Sequence, residues 1–172
     1  MEGKRVIEIP ISGIKGYVKE KALIIQSEEC LYALNSSILG GGFTRPHNII
    51  NLQVDKGYDG NNPAEDLVHF SEKAGLNASD TVGMMTAALV DDLFLEYEQD
   101  GDLTVAALVT AGISNALAAG GKSIFSYSPQ IGTINIVVLI DGTLSPGAMV
   151  NAVITATEAK TLALMDLKVK DV

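Results

Sequence analysis

The sequence predicts an α+β protein, a single domain over residues 1–172 in which a mostly antiparallel mixed sheet packs with a long C-terminal helix and a second helix. Short β-branched segments separated by glycine and charged turns recur as far as Ile140, which is typical of antiparallel strands. Two helical patterns each begin with a proline, Pro63 and Pro146, directly after a capping residue. The 47% of hydrophobic and 19% of charged residues indicate a globular chain that can bury a core. Strands and helices that do not alternate regularly favour the α+β class.

Most of the predicted strands are short apolar runs that end at glycine or at charged residues. Gly13 and the charged turn Lys19–Lys21 separate the first three, and Asp141–Gly142 closes the last. That last strand is the clearest in the chain because it is rich in β-branched residues. The strands predicted in this way are Val6–Pro10, Gly16–Val18, Ala22–Gln26, Leu31–Leu34, Ile49–Val54, Val82–Ala88 and Ile131–Ile140.

The segment 93–110 predicts a β-hairpin. Leu93–Glu98 alternates weakly, Gln99–Asp102 is a polar turn, and Leu103–Thr110 has the pattern of a buried strand. A helix over Thr86–Tyr97 is an alternative, because that window also has apolar residues three and four apart. Beyond the hairpin, a helical turn is expected over residues 114–119 and a loop over residues 122–130.

The first helix is predicted from Pro63 to about Lys73. Asn62 is expected to cap it and Gly75 to end it. The turn that precedes it covers Tyr58–Asn62.

The long helix is predicted from Pro146 to about Leu167, with Ser145 as its cap. Alanines and threonines interrupt its apolar side chains. Because small residues allow a helix to pack closely against a sheet, most of this helix is expected in the core.

Composition argues against several classes of function. The chain has 12 basic and 21 acidic side chains and a formal net charge of −9, which repels phosphate backbones, so nucleic acid is not expected as a partner. The apolar runs are too short to cross a bilayer, and Met1–Pro10 lacks the apolar core of a signal peptide. We therefore expect a cytoplasmic protein without membrane contact. Cys30 is the only cysteine, which excludes an intrachain disulfide and a thiolate metal site.

A polar, glycine-rich segment over residues 35–48 is the first candidate site. Three consecutive glycines are costly to order, and such a loop between apolar runs is more often a site than a spacer. It lacks the Lys-Ser/Thr pair of a phosphate-binding loop. His47, beside Arg45, is a general base, a ligand contact or an ordinary exposed residue. The candidate ligand contacts are Asn35, Ser36, Ser37, Gly40, Gly41, Gly42 and His47.

Two polar clusters at the ends of apolar strands form the second candidate site. Thr110–Asn115 follows one strand, and Gly132–Asn135 lies at the start of the next. Turn formation explains each cluster alone equally well, whereas both together in one small chain favour a site. The GxSxG elbow of serine hydrolases is absent from the sequence.

The long helix carries polar residues within an otherwise apolar sequence. Thr157, Lys160 and Thr161 share a face by their spacing, and Glu158 lies next to that face. A glutamate at this position either faces solvent, which is the commoner case, or works as a general base if burial or neighbours adjust its pKa.

Four sequence blocks, in order, resemble the adenosylcobinamide amidohydrolase family. The resemblance covers about residues 31–169, and its last block, which contains TATEAK, is the most specific. The blocks are LNSSILGGGFTRPHNIINLQVDKGYDG, TVGMMTAAL, VTAGISNA and GTINIVVLIDGTLSPGAMVNAVITATEAKTLAL.

The resemblance implies a hydrolase of corrinoid salvage. Such an enzyme cleaves the amide between the aminopropanol arm and the corrin ring, which converts adenosylcobinamide to adenosylcobyric acid. The corrinoid is then the substrate, no cofactor is required, and a homo-oligomer remains possible.

The resemblance does not identify the catalytic residues, so we infer their roles from the base and the oxyanion donors that amide hydrolysis needs. We expect Glu158 as general base and Lys160 as charge stabiliser or proton donor. The groups expected to orient the substrate or stabilise the oxyanion are Thr110, Asn115, Thr133 and Asn135. The corrin pocket is expected to comprise the glycine-rich loop residues together with Thr86, Gly112 and Thr157.

Two alternatives to this mechanism remain open from the sequence. The first is a corrinoid-binding carrier or sensor without catalysis, since family members continue past the position of Val172 with a threonine- and glycine-rich segment. The second is self-cleavage between Gly132 and Thr133, which would free Thr133 as a nucleophile with its own amine as base.

Overall fold

The structure is a computed structural model that describes residues 3–114, 116 and 133–170. Two short 3₁₀ turns, Ala78–Asp80 and Val90–Asp92, flank the strand Thr81–Thr86. The strands are β1 (Arg5–Ile7), β2 (Ile14–Lys19), β3 (Ala22–Ser27), β4 (Ala33–Asn35), β5 (Gly42–Thr44), β6 (Asn48–Gln53), β7 (Thr81–Thr86), β8 (Phe94–Asp100), β9 (Leu103–Ala111) and β10 (Ile134–Ile140), and the helices are α1 (Pro63–Lys73) and α2 (Pro146–Asp166).

The described strands form three sheets. The largest has the order β1-β2-β3-β6-β7, and its pairs are antiparallel except for the parallel pair β6–β7, which α1 connects. The second sheet is antiparallel with the order β10-β9-β8, and β4 and β5 form a two-stranded hairpin. The α+β class is confirmed.

The five-stranded sheet is covered on both faces. Consecutive strand residues point to opposite faces, so Ile24 and Ile50 pack with Leu67 of α1, while their neighbours Ile25 and Ile49 belong to a second cluster. That second cluster also contains Leu108, Val137 and Leu139 of the three-stranded sheet. The main core therefore lies between the two sheets, with α1 as an outer layer on the far face.

The predicted hairpin is confirmed, and the alternative helix over Thr86–Tyr97 is wrong. β8 and β9 pair in antiparallel register with Leu95 opposite Leu108. Both side chains belong to the core between the sheets, and this burial favours the strand because alternate residues of a strand reach the same layer.

The glycine-rich segment contains a strand that the sequence did not predict. Gly42–Thr44 pairs with Ala33–Asn35, and the intervening loop is joined to the edge of β7 by a bridge between Leu39 and Gly83. Gly40 has φ 65°, and a Cβ at this position would lie 2.7 Å from the carbonyl oxygen of Thr81. The close approach of this loop to β7 therefore requires glycine at position 40.

Helix α1 begins at Pro63 and ends at Lys73 as predicted, but its predicted cap is wrong in detail. The side chain of Asn62 makes no capping hydrogen bond, because its backbone, at φ −141° and ψ 79°, differs from ordinary cap geometry. The C-terminal end of α1 is as predicted, with Gly75 in the left-handed region at φ 78°.

Helix α2 has the predicted span and cap, but the prediction that most of it lies in the core is wrong. The Ser145 hydroxyl accepts a hydrogen bond from the Ala148 N–H at 3.3 Å. None of the residues of α2, all of which the structure describes, is buried, and Leu162 is 61% exposed. Its apolar residues surround the helix instead of forming one stripe, so no single face directs it onto a sheet.

Within the ranges that the structure describes, no helix has both the length and the hydropathy needed to cross a membrane. The predicted loop over residues 122–130 and most of the predicted turn over residues 114–119 lie outside the described residues.

Candidate active site

Polar side chains replace apolar ones at one end of the core between the sheets. Residues two apart in a strand share a face, so a polar residue two positions from a core residue lies in the same layer. This occurs on three neighbouring strands: Ile49 and Asn51 on β6, Leu108 and Thr110 on β9, and Val137 and Asn135 on β10.

These three polar side chains, the hydroxyl of Thr133 and a carbonyl form a continuous hydrogen-bond network. Asn51 Nδ2 donates to Thr110 Oγ1 at 2.9 Å. Asn135 Nδ2 donates to Asn51 Oδ1 at 2.8 Å and to the carbonyl of Met85 at 2.9 Å. Thr133 Oγ1 donates to Asn135 Oδ1 at 2.9 Å. We call Asn51, Thr110, Thr133 and Asn135 the inter-sheet network.

Burial makes the inter-sheet network rigid. Asn51 and Thr110 are each 2% exposed, and a buried polar group is costly unless it is hydrogen-bonded. Among the described residues, every buried side-chain nitrogen and oxygen has a partner. The network therefore holds the half-buried Thr133 hydroxyl in a defined direction at its outer end.

A cleft of about 200 Å³ opens beside the network, where β7 and β9 end. The Thr86 hydroxyl accepts a hydrogen bond from the Ala88 N–H at 3.0 Å, and the Gly112 N–H donates to the carbonyl of Thr133 at 2.8 Å. These bonds fix two walls of the cleft. The described residues that line this small cleft are Lys56, Ala87, Ala88, Leu89, Ala111, Gly112, Ile113 and Ser114.

The structure thus brings together part of the site predicted from the sequence. Thr110, Thr133 and Asn135 of the predicted site belong to the network, and Gly112 lines the small cleft. Thr86 lies behind the cleft wall, where it accepts the hydrogen bond from Ala88. They come from the end of β7, from the end of β9 and its following turn, and from the start of β10. Hydrogen bonds connect Thr110, Thr133 and Asn135 through Asn51 across both sheets.

A larger cleft of about 400 Å³ lies along the same segment of chain. Its lining includes the carboxylates Asp55 and Asp59, the ammonium of Lys21, and Tyr58. The Tyr58 hydroxyl donates a hydrogen bond to the Asp66 carboxylate, which raises the pKa of Tyr58 to about 12.

The polar residues of the glycine-rich loop are engaged within the loop. Asn35 Nδ2 donates to the carbonyls of Gly40 and Gly42, each at 3.3 Å, and Asn35 Oδ1 accepts from the Ser37 N–H at 3.0 Å. Ser36 is exposed, and the segment that contains Gly41 contacts the first half of β7. No hydrogen bond between described residues joins this loop to the inter-sheet network.

His47 connects strand ends at the start of β6. The backbone N–H of His47 donates to the carbonyl of Asp80 at 2.9 Å, and the backbone carbonyl of His47 accepts from the Ser27 N–H at 2.8 Å. The ring nitrogen Nδ1 lies 3.3 Å from the carbonyl oxygen of Ser27, to which it can donate. These contacts account for His47 as a structural residue.

The predicted site residues of α2 lie apart from the network. Thr157 Oγ1 donates to the carbonyl of Val153 at 2.8 Å, so its hydroxyl is bonded to its own helix. Glu158 is exposed and Lys160 is partly exposed. No hydrogen bond or ion pair between described residues connects Glu158 or Lys160 to the inter-sheet network.

Two predicted positions lie outside the described residues: Asn115, and Gly132 of the proposed self-cleavage site. Sequence reasoning also missed two residues. Asn51 lies in a segment predicted as an apolar strand, although an asparagine within Asn48–Gln53 is a signal of a buried polar contact. Lys56 has no local pattern that distinguishes it from a surface lysine.

Among the described residues, no three His, Cys, Asp or Glu side chains converge. What does converge is a set of hydroxyls, carboxamides and backbone N–H groups beside a small cleft. Such groups orient a carbonyl and stabilise the charge that develops on its oxygen during acyl transfer. Groups of these kinds occur in the active sites of hydrolases, and in the described structure their N–H and O–H groups are bonded to one another or to main-chain carbonyls.

The chain belongs to the adenosylcobinamide amidohydrolase family, whose sequence profile matches residues 9–172. It is therefore a member of a hydrolase family. An adenosylcobinamide amidohydrolase of Methanosarcina mazei is 33% identical over 150 residues, which are 87% of this chain and 67% of the relative. A protein of Methanocaldococcus jannaschii that is named uncharacterized is 32% identical over 115 residues, or 57% of this chain and 45% of that protein. No solved structure shows a significant match.

Proposed function

We propose that this chain hydrolyses the amide that joins the aminopropanol arm to the corrin ring of adenosylcobinamide, to give aminopropanol and adenosylcobyric acid. The match to the family over residues 9–172 is the observation that carries this proposal. The corrinoid is the substrate, and water is the second reactant. Because hydrolysis needs no redox or group-carrying chemistry, we propose that no cofactor is required.

Hydrolysis places three demands on the protein. Water adds its oxygen to the amide carbon, the carbon–nitrogen bond breaks, and the departing amine gains a proton. A base must accept a proton from the water, donors must stabilise the oxyanion, and the amide must be held in place.

The small cleft suits the arm of the substrate better than its ring. Pockets that enclose a whole drug-sized ligand have volumes of about 300–1,000 Å³, whereas this cleft has about 200 Å³. We therefore place the amide and the aminopropanol arm in the cleft, with the corrin ring against the surrounding surface. We propose that Thr133, whose carbonyl is bonded to Gly112 of the cleft wall, contacts the amide there, and that Asn135 holds the Thr133 hydroxyl in place.

Glu158 is our proposal for the base, with Lys160 as its charged neighbour. Glu158 is the carboxylate of the TATEAK block on which the family resemblance most depends. A general base must come within hydrogen-bond reach of the water that it activates. Because Glu158 is exposed on α2, this role requires that bound corrinoid lies between the cleft and the helix.

The test is to incubate the purified protein with adenosylcobinamide and to separate the products by chromatography with mass detection. Adenosylcobyric acid and aminopropanol in equal amounts are the expected result. Intact mass of the same sample tests self-cleavage, since a single uncut chain excludes a free Thr133 amine.

A corrinoid-binding carrier or sensor is the second candidate function. The observation that favours it is that the polar side chains of the inter-sheet network bond to one another, while Glu158 lies apart from them. Unchanged adenosylcobinamide that co-elutes with the protein supports this candidate. If the protein neither hydrolyses nor binds adenosylcobinamide, both candidates are contradicted.

A further inference from the structure

Lys56 lines the small cleft beside the inter-sheet network. We infer that this cleft is a carboxylate-binding site and that Lys56 is the counter-charge that binds the acid released by hydrolysis. The inference rests on the proposed function, because that reaction converts a neutral amide into a carboxylate. It adds to that function a residue that distinguishes product from substrate.

The charge of the lining supports this assignment. Among the described residues that line the small cleft, Lys56 is the only charged one, and the others are small or apolar except for Ser114. Lys56 is itself exposed, so solvent screens part of its charge, and its attraction for an anion acts at the short range of a direct contact in the cleft. It offers three N–H donors to carboxylate oxygens.

The backbone sets the direction of Lys56. Asp55 and Gly57 line the larger cleft, whereas Lys56 between them lines the smaller one. The segment is anchored just before, where the Val54 N–H donates to the carbonyl of Thr86 at 2.8 Å. It is anchored again just after, where the Tyr58 N–H donates to the carbonyl of Asp55 at 2.9 Å. The side of the chain from which Lys56 projects is thus fixed by bonds on both sides of it.

Acidic residues outside the small cleft make it unfavourable for a carboxylate ligand to bind elsewhere along this segment. The chain has a net charge of −9, and the larger cleft next to Lys56 contains two carboxylates, Asp55 and Asp59. An anionic ligand is repelled by such a surface. The small cleft is therefore the favourable place for a carboxylate along this segment.

The reaction places the new charge in this cleft. The carbon of the amide that we place in this cleft becomes the carboxyl carbon of the product, which ionises at neutral pH. The oxygen of that carbonyl also gains negative charge in the transition state, so one ammonium serves both species. Substrate, which is neutral at this carbon, gains little from Lys56.

The experiment measures the affinities of adenosylcobyric acid and adenosylcobinamide separately. Equilibrium dialysis gives the dissociation constant of the acid, and initial rates give the KM of the amide, or dialysis does if there is no turnover. We expect Lys56→Gln to weaken binding of the acid about tenfold, since a charge-assisted hydrogen bond is lost. We expect affinity for the amide to change less than about threefold. Lys56→Arg keeps the charge and should recover most of the acid binding.

Lys21→Gln is the matched control, because it removes the same charge from the neighbouring cleft. It should leave the affinity for the acid within about twofold. Acid binding that is unchanged in Lys56→Gln, or equally weakened in Lys21→Gln, overturns the inference and leaves the proposed function standing if turnover persists. A wild-type protein that neither binds nor hydrolyses either corrinoid overturns the proposed function and the inference together.

Discussion

The inter-sheet network and helix α2 both contain residues that the sequence singled out, but their surroundings are opposite. Thr110 in the network is 2% exposed and bonded to Asn51 of the other sheet. Glu158 on α2 is exposed, on a helix without a buried residue. A polar residue in an apolar segment therefore predicts a buried contact where the alternation of a strand places its side chain in the core. On a helix whose apolar residues lie on all sides, the sequence does not indicate which side is buried.

Substitution of Glu158 should have the largest effect. If α2 supplies the base, Glu158→Gln should lower kcat at least about a hundredfold, since general-base catalysis contributes about 10²–10⁴. Initial rates with adenosylcobinamide give the kcat of the variant and of the wild type. Asp166→Asn on the same helix is the control and should retain its rate. A Glu158→Gln rate within about threefold of the wild type would place the base elsewhere.

Removing a side chain of the network should also slow catalysis. Asn135→Ala takes away the group that accepts from the Thr133 hydroxyl and holds it in place, and we expect kcat to fall about a hundredfold, as a misplacement of about 1 Å at a reacting centre can cause. The rate is compared with that of Asn61→Ala, an exposed asparagine. Circular dichroism must show that the variant is folded at the assay temperature. Unimpaired turnover by folded Asn135→Ala would mean that the network is structural only.

The network should matter for stability as well. Asn51→Ala removes two buried hydrogen bonds and leaves the partners Thr110 and Asn135 unsatisfied, so the free energy of unfolding should fall by about 2–3 kcal/mol. Urea denaturation measures the change, and Asn61→Ala should stay within about 0.5 kcal/mol. A small effect of Asn51→Ala would indicate that water replaces the lost partners.

Much of the fold could be predicted because its signals are local. Pro63 and Gly75 mark the ends of α1, and the polar turn over residues 99–102 marks the hairpin of β8 and β9. Division of the strands into separate sheets could not be predicted, since it depends on which faces become buried against each other. The short strand β5 was missed because glycine is disfavoured in strands and pairing alone holds it there.

The site could be predicted only where polar residues interrupt a strong strand pattern. Thr110 and Asn135 follow that rule, and pairing places them opposite each other. The glycine-rich loop suggested a site from its composition, yet Asn35 makes its hydrogen bonds inside the loop. Composition cannot distinguish a glycine needed for a ligand from one needed for close backbone contact, as Gly40 is. The assignment of Lys56 to the small cleft depends on the direction in which its side chain projects, and only the three-dimensional structure gives that direction.

A hydrogen bond at the surface should contribute less than the buried network. Tyr58 donates to the Asp66 carboxylate, and this bond raises the pKa of Tyr58 to about 12 from an ordinary value of 10.0. The folded state thus holds the phenolic proton more tightly than the unfolded state does. The resulting stabilisation is complete below about pH 10 and is lost as the pH rises toward 12.

Tyr58→Phe tests this contribution. We expect a loss of about 1 kcal/mol or less at neutral pH, and a flatter dependence of the free energy of unfolding on pH between 10 and 12. Urea denaturation at several pH values compares it with Tyr97→Phe, a tyrosine that is 48% exposed. Equal pH slopes in wild type and Tyr58→Phe would show that the bond to Asp66 does not persist in solution.

The smallest effect is expected for an apolar side chain of the exposed helix. Leu162 on α2 is 61% exposed, whereas Leu108 in the core between the sheets is 1% exposed. Leu162→Ala should change the free energy of unfolding by no more than about 0.5 kcal/mol, while Leu108→Ala should cost about 2–5 kcal/mol through lost burial and the cavity that remains. Urea denaturation of both variants at several protein concentrations is the measurement. A cost for Leu162→Ala that approaches that of Leu108→Ala would mean that α2 is covered in solution. If that cost also varies with protein concentration, the cover is a second copy of the chain, because only association makes stability depend on concentration.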